Sequence, residues 1–218
     1  MTSGRQDSAT LAERLRLMVI TRPDPAGGSL RDVVAECVDA GATAIQLRDK
    51  RASTRELWAT ATELSPIVRS AGALFLINDR FDVAIAVAAD GVHLGPEDLP
   101  LAAVRREVPS GFLVGFSTDE PPAARRAEAD GADYLGVGAV FGTTSKAGLA
   151  NEAIGPARVA EVAAAVRLPV VAVGGVNSRN VASVVRLGTG VAVLAAVMDS
   201  ARPGEAVRQL ERAMHLDV

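Results

Sequence analysis

The chain has 218 residues, which is enough for one large α/β domain or two small ones with a full hydrophobic core. Five Phe, one Trp and one Tyr offer few stacking surfaces for nucleic acid, and a net charge of -3 gives no long-range attraction to nucleic acid or to anionic membranes. The single cysteine excludes a disulfide framework and a cysteine metal cluster, which indicates a reducing, cytoplasmic location.

Short runs rich in Val, Ile and Leu alternate with longer helical patterns, which is typical of a parallel sheet with helical crossovers. Strands are predicted at 15–21, 42–47, 73–77, 91–95, 112–117, 133–138, 170–175 and 190–196. Helices are predicted at 28–40, 53–70, 80–88, 99–108, 121–130, 156–166, 179–187 and 204–215. This repetition favours an α/β fold of the (β/α)8 TIM barrel type, although periodicity alone also fits a doubly wound open sheet. We expect a disordered tail at 1–12 and a single barrel domain at 13–218.

The segment AIQLRDKR, at 44–51, turns from apolar to charged where the second predicted strand ends. Strand alternation would place Gln46, Arg48 and Lys50 on one side and Leu47 and Asp49 on the other. In both architectures ligands bind beyond the carboxyl ends of the strands, so three nitrogen-bearing side chains should converge on the ligand.

Lysine occurs only twice among the 23 basic residues, at Lys50 and Lys146, and both positions follow predicted strands. A compact ammonium suits a phosphate oxygen or a leaving group where the guanidinium fork of arginine is too wide. We therefore expect both lysines to act at the same edge of the fold.

Asp79 and Asp98 follow the third and fourth predicted strands. Carboxylate oxygens beside phosphate-binding cations indicate Mg²⁺, which proteins hold with one or two carboxylates plus substrate phosphate and water. Each aspartate could instead cap the helix that follows it. Their pairing near Arg48 and Lys50 favours the metal site.

Two further segments predict phosphate binding. FGTTSKAG, at 141–148, offers hydroxyl and backbone N–H donors, although a polar surface loop would have the same composition. GGVN, at 174–177, and the segment that follows the eighth strand occupy the usual phosphate position of barrels. Two anion pockets at one edge predict two phosphorylated ligands. Small residues at positions expected to face inward, Gly136, Gly138, Ala172 and Gly174, predict room for a flat ring.

His93 lies within the strand motif GVHLG and is expected to be a hydrogen-bonded interior residue rather than an acid or a base. Residues that follow the strands assemble neither a Ser-His-Asp nor a Cys-His set. The sequence therefore offers no recognisable serine or cysteine nucleophile.

Six motifs, IQLRDK, INDR, DGVHLGPEDLP, GFS, DYLGVGAVFGTTSK and VVAVGGV, occur in the order and spacing of the thiamine-phosphate synthase family, which the chain resembles from about Leu15 to Met198. The resemblance implies a barrel that joins 4-amino-2-methyl-5-(diphosphooxymethyl)pyrimidine to a thiazole phosphate, giving thiamine phosphate and diphosphate with Mg²⁺. It implies that Asp79 and Asp98 are the metal ligands. The pyrimidine diphosphate site implied is Gln46, Leu47, Arg48, Asp49, Lys50, Asn78, Ser117 and Lys146, and the thiazole phosphate site is Thr143, Thr144, Ser145, Gly175, Leu194 and Ala195.

Arg48, Lys50 and Lys146 are expected to neutralise the departing diphosphate, with Ser117 in contact with the diphosphate or the pyrimidine. The family often has Thr at position 145 and Ser at position 195. Ser145 keeps the hydroxyl, whereas Ala195 can offer only its backbone N–H.

Three alternatives remain open at this point. They are a thiazole tautomerase-like barrel, a phosphate-binding isomerase or Schiff-base aldolase that uses Lys50 or Lys146, and a non-catalytic thiamine-phosphate-binding protein. The expected partners are small-molecule substrates, with neither nucleic acid nor membrane. Assembly is left open, and a homo-oligomer is compatible with the sequence.

Overall fold

The computed structural model describes residues 8–142 and 153–215. Its strands are Leu17–Ile20 (β1), Ala44–Leu47 (β2), Leu74–Asn78 (β3), Gly91–Leu94 (β4), Leu113–Ser117 (β5), Tyr134–Val137 (β6), Val170–Val173 (β7) and Gly190–Val193 (β8). Each strand pairs in parallel with the next, and β8 pairs with β1, so the sheet is closed. The predicted (β/α)8 barrel is confirmed, and the open-sheet alternative is wrong.

The helices in these ranges are Ser8–Arg14 (α1), Leu30–Asp39 (α2), Thr54–Ser70 (α3), Phe81–Ala86 (α4), Leu101–Glu107 (α5), Pro121–Ala129 (α6), Gly155–Ala165 (α7), Ala182–Val185 (α8), Ala195–Met198 (α9) and Pro203–His215 (α10). Local sequence sets several of their starts. Ser53 accepts a hydrogen bond from the Glu56 amide while the Glu56 carboxylate accepts one from the Ser53 amide, which is a complete capping box for α3. In the parts of the chain that the structure describes, no helix combines the length and the apolar character needed to cross a bilayer.

Two predicted boundaries are wrong. Residues 8–12 were expected to be disordered, but they belong to α1, because Leu11 gains a buried position beneath the barrel. Residues 194–196 were expected to continue the eighth strand, but the strand ends at Val193 and α9 starts at Ala195. An apolar run is compatible with both a strand and a short buried helix, so the pattern alone could not separate them.

Alternating side chains divide the apolar residues into two layers. One set, including Met18, Leu76 and Tyr134, fills the barrel interior, and the other lies between the strands and the helices. Ala172 belongs to the outer layer, so the prediction that it faces inward is wrong. Val171 and Val173 point into the barrel instead. The run VVAV is apolar at every position, and such a strand carries no signal for which parity faces inward.

Candidate active site

A pocket of about 460 Å³ opens at the carboxyl ends of the strands. Many of the residues singled out in the sequence line it. These are Gln46, Arg48, Lys50, Asn78, Asp79, Ser117, Gly175, Leu194 and Ala195. The parallel barrel therefore brings side chains from β2, β3 and β5 and the loops after β7 and β8 to one mouth, as such a fold requires.

The end of β2 follows the predicted alternation. Gln46 is buried at the base of the pocket, where its amide lies 3.5 Å from the sulfur of Met18. Leu47 points the other way and packs in the outer layer. Asp49 accepts hydrogen bonds from the amides of Arg51 and Ala52, at 2.9 and 3.2 Å, so its carboxylate shapes the loop. Neither the Leu47 nor the Asp49 side chain lines the pocket.

Lys50 reaches across from β2 to the end of β3. Its Nζ lies 3.2 Å from Oδ2 of Asp79, and its side chain keeps 55% of its surface exposed at the mouth. The Asp79 backbone adopts the left-handed region, with φ at 64°, which is uncommon for a residue other than glycine. Strained backbone of this kind is concentrated at functional sites.

Asp98 lies close enough to Asp79 to raise the pKa of its carboxyl. Burial raises the pKa of Asp79, and hydrogen bonding and charge repulsion from Asp98 raise it further, against the opposing effect of Lys50. Asp98 also accepts a hydrogen bond from the Gly95 amide at 2.6 Å. The helix-capping alternative is wrong for both aspartates, because the N-cap residues of α4 and α5 are Arg80 and Pro100 and neither makes a side-chain cap.

The chemistry of this carboxylate pair fits Mg²⁺. Two hard oxygen ligands at the edge of the pocket, with a lysine beside them, match the usual protein contribution to a magnesium–phosphate site. Within residues 8–142 and 153–215, no group of three or more His, Cys, Asp or Glu side chains could hold a metal alone. Substrate oxygens and water would therefore have to complete the coordination of an ion bound there.

A hydrogen-bonded chain crosses the pocket floor from β6 to β4 to β5. The Tyr134 hydroxyl lies 3.0 Å from Nδ1 of His93, and Nε2 of His93 lies 2.8 Å from the Ser117 hydroxyl. The expected interior, hydrogen-bonded histidine is therefore confirmed. Tyr134 was assigned no polar role from the sequence. Gly115 is its neighbour across the strand pair, and a Cβ there would lie 2.2 Å from the tyrosine ring, so glycine leaves room for the ring.

The predicted phosphate region lies on the opposite side of the mouth. Gly175 has φ at 67°, and a Cβ on it would approach the Gly142 carbonyl oxygen to 2.6 Å, so only glycine fits. Its carbonyl accepts hydrogen bonds from Asn177 and Asn180, at 3.1 and 3.0 Å, which brace the loop after β7. The remaining predicted residues of the segment after β6 lie outside the described residues. These are Thr143, Thr144, Ser145 and Lys146.

Comparison with known proteins gives consistent results. The family model described as thiamine monophosphate synthase matches residues 17–197. A thiamine-phosphate synthase of Chlorobium luteolum is 45% identical over 200 residues, covering 91% of this chain and 92% of that protein. One of Methanoculleus marisnigri is 47% identical over 185 residues, covering 84% of this chain and 87% of that protein.

Solved structures agree with the sequence comparisons. Thiamine phosphate pyrophosphorylase from Pyrococcus furiosus superposes with a TM-score of 0.85 at 39% identity, over 94% of this chain and 97% of that one. A 3-hexulose-6-phosphate synthase, at 18% identity and a TM-score of 0.65, shares the fold alone.

Proposed function

The chain belongs to the thiamine-phosphate synthase family, and we propose that its pocket at the barrel mouth joins an aminopyrimidine diphosphate to a thiazole phosphate. The observation that carries this proposal is the ion pair of Lys50 with Asp79 at the edge of the pocket, beside Asp98, whose proximity raises the pKa of Asp79. A cation and two carboxylates at this edge suit a metal-bound diphosphate.

The reaction requires one bond to break and one to form. The bond between the methylene carbon and the diphosphate oxygen breaks, and its electron pair leaves with the diphosphate. The aminopyrimidine spreads the positive charge left on the carbon, and the thiazole nitrogen then donates its lone pair to that carbon. Because diphosphate is a good leaving group once neutralised, the protein needs to orient the reactants and stabilise charge rather than supply a nucleophile.

The residues that line the pocket have separate roles in this scheme. Lys50 and Arg48 bind the diphosphate and offset its charge as it leaves. Gln46, Asn78 and Ser117 hold the pyrimidine on the pocket floor. The loop of Gly174 and Gly175, with the backbone at Leu194 and Ala195, receives the thiazole phosphate and keeps the second substrate near the reacting carbon.

Asp79 and Asp98 would hold the Mg²⁺, and bound there it would supply Lewis-acid neutralisation of the diphosphate oxygens. Both carboxylates must be ionised to do so, and the lysine at 3.2 Å from Asp79 favours that state. Removal of divalent ions with a chelator should therefore abolish turnover, and added Mg²⁺ should restore it.

A cytoplasmic location of the protein stays a prediction.

The site favours this scheme over the alternatives. A thiazole tautomerase releases no diphosphate and has no need of paired carboxylates beside a cation. A Schiff-base lysine is activated by an apolar pocket or a neighbouring cation, whereas Lys50 is more than half exposed and ion-paired with Asp79. A binding protein would retain thiamine phosphate without turnover, which the assay below distinguishes.

The decisive experiment compares Lys50→Ala with Arg51→Ala under saturating Mg²⁺. The Arg51 side chain is 80% exposed and pairs with Asp24, so it offers a matched loss of positive charge outside the pocket. Lys50→Ala should lower the rates of thiamine phosphate formation and diphosphate release by about 100-fold, as expected for one preorganised electrostatic partner. Arg51→Ala should turn over normally. Equal rates for both variants and the wild type would refute the assignment, and ligand binding without diphosphate release would refute the enzyme.

A further inference from the structure

The hydrogen-bonded chain of Tyr134, His93 and Ser117 has a donor direction that the surroundings of Tyr134 determine. A neutral imidazole donates from one nitrogen and accepts at the other, so the hydrogen bonds at 3.0 and 2.8 Å admit two opposite arrangements. In one, Tyr134 donates to Nδ1, and Nε2–H donates to Ser117. In the other, both hydrogen bonds reverse.

The burial of Tyr134 decides between the two arrangements. The side chain has 0% of its surface exposed and lies in the apolar interior of the barrel, among residues such as Leu74 and Leu113. Burial also raises the pKa of Tyr134, so the phenol keeps its hydrogen. Throughout the described part of the chain, His93 Nδ1 is the only hydrogen-bond partner of that hydroxyl. If Nδ1 carried a hydrogen, the phenol O–H would be left without an acceptor in an apolar interior, which is costly.

We propose that Tyr134 and His93 are positioning residues that direct the Ser117 hydrogen into the pocket, where Ser117 acts as a donor to the ligand. Tyr134 donates to Nδ1, so His93 takes the Nε2–H tautomer. Nε2–H then occupies a lone pair of the Ser117 oxygen, and the Ser117 hydrogen is left for the ligand. The Ser117 hydrogen accordingly meets a hydrogen-bond acceptor on the ligand, such as a ring nitrogen or a diphosphate oxygen.

The surroundings preserve this arrangement. A Cβ on Gly136 would lie 3.0 Å from Cε1 of His93 and 3.5 Å from the Ser117 hydroxyl oxygen, so glycine there keeps the space beside both side chains free. Gly115 likewise gives the Tyr134 ring its place. Both glycines belong to the strands that carry the chain of hydrogen bonds, β5 and β6.

The tautomer can be measured without any assay of activity. The chain has two histidines, so a His215→Gln variant leaves His93 as the only one. Nitrogen NMR of that variant, labelled with ¹⁵N in histidine, should show a protonated Nε2 and a bare Nδ1 at neutral pH. A protonated Nδ1, alone or together with Nε2, would overturn the proposal. Because this readout needs no substrate, it decides the point even if the proposed function fails.

Kinetics test the consequence for the ligand, and this part rests on the proposed function. Tyr134→Phe keeps the ring and removes the donor, so kcat/KM for the pyrimidine diphosphate should fall roughly five- to tenfold, while the KM for the thiazole phosphate stays unchanged. In a Ser117→Ala background, the same change should have no further effect. If the two effects multiply, Tyr134 acts by packing and the positioning role is wrong.

Two substitutions at His93 separate hydrogen bonding from shape. His93→Gln can place an amide N–H where Nε2 lies, so it should stay within about threefold of the wild type, because the donor to Ser117 is retained. His93→Leu fills a similar volume without a donor and should behave as Ser117→Ala does. Equal losses in the two variants, at equal melting temperatures, would contradict the proposal.

Discussion

The proximity of the Asp79 and Asp98 carboxylates lowers the stability of the protein. Burial and mutual repulsion raise the pKa of Asp79, so the ionised pair destabilises the protein when no cation is bound. Asp98→Asn removes one charge and keeps an oxygen that can accept from the Gly95 amide. Thermal unfolding without metal should therefore occur at the same temperature or a higher one than in the wild type, while the increase on adding Mg²⁺ should disappear.

The control for this prediction is Asp130→Asn. Asp130 lies at the exposed end of α6, so its loss should change neither the unfolding temperature nor its response to Mg²⁺. An Asp98→Asn protein that is still stabilised by Mg²⁺ as the wild type is would show that the ion binds elsewhere.

The roles of single residues differ in how well they can be predicted from the sequence. The alternation in AIQLRDKR gave the directions of Gln46, Arg48 and Lys50, because a strand that ends in charges has one wet side. The proximity of Asp79 and Asp98 depends on distances across two loops, which no local pattern encodes. Tyr134 could not be assigned a polar role either, because its partner His93 lies 41 positions away in the chain.

Strands β2, β4 and β6 are each preceded by a residue whose side chain accepts a hydrogen bond from the neighbouring strand. The residues just before them are Thr43, Asp90 and Asp133, and each side chain accepts a hydrogen bond from an amide of the preceding strand, at 3.0, 2.8 and 2.8 Å. Thr43 and Asp133 each stand two residues after a glycine, whereas Asp90 stands directly before one, so the three positions share no local sequence pattern. Thr189, just before β8, differs, because its hydroxyl donates to the Val184 carbonyl oxygen.

Substitution of Asp90 tests whether this side-chain hydrogen bond stabilises the pairing of neighbouring strands. Asp90→Ala would leave the Phe75 amide without its side-chain acceptor and should lower the free energy of unfolding by about 1–3 kcal/mol. Asp90→Asn keeps an acceptor oxygen and should cost clearly less. Urea unfolding of the two variants measures the difference, and equal losses would mean that charge matters rather than the hydrogen bond.

Helix α10 begins with a cluster around Glu205. Hydrogen bonds from Arg212, Arg208 and Gln209 lower the pKa of Glu205 from 4.5 to about 2. A lowered native pKa stabilises the protein fully above pH 4.5, and that stabilisation is lost as the pH falls from 4.5 towards about 2. Glu205→Gln should therefore melt slightly below the wild type at pH 7, and the gap should close on acidification.

The matched control for the acid titration is Glu107→Gln, at the exposed end of α5. It should show no gap that closes between pH 4.5 and pH 2. A Glu205→Gln gap that persists unchanged at low pH would mean that Glu205 stabilises α10 by something other than its charge.

The whole barrel is more predictable than its ends. Eight alternating units favour a parallel fold because each buried strand must be covered by a helix, but closure depends on the pairing of β1 with β8, between segments more than 170 positions apart. No periodicity reports that pairing. The ends of the barrel are harder to predict, because α1 is stabilised by its packing against the barrel interior rather than by its own sequence pattern.

Helix α1 closes the end of the barrel opposite the pocket. Leu11 is 4% exposed and joins the interior cluster with Leu15, while Ser8 donates to the Arg167 carbonyl oxygen just before β7. Leu11→Ala should lower the free energy of unfolding by about 2–3 kcal/mol, as a large-to-small change at a buried site does. Thr10→Ala, on the exposed face of α1, should lower the free energy of unfolding only slightly.

Because the pocket lies beyond the other ends of the strands, both variants should keep the wild-type kcat and KM below their melting temperatures. If Leu11→Ala left stability unchanged, residues 8–14 would not be part of the folded core, and a loss of activity without a loss of stability would mean that the two ends of the barrel are coupled.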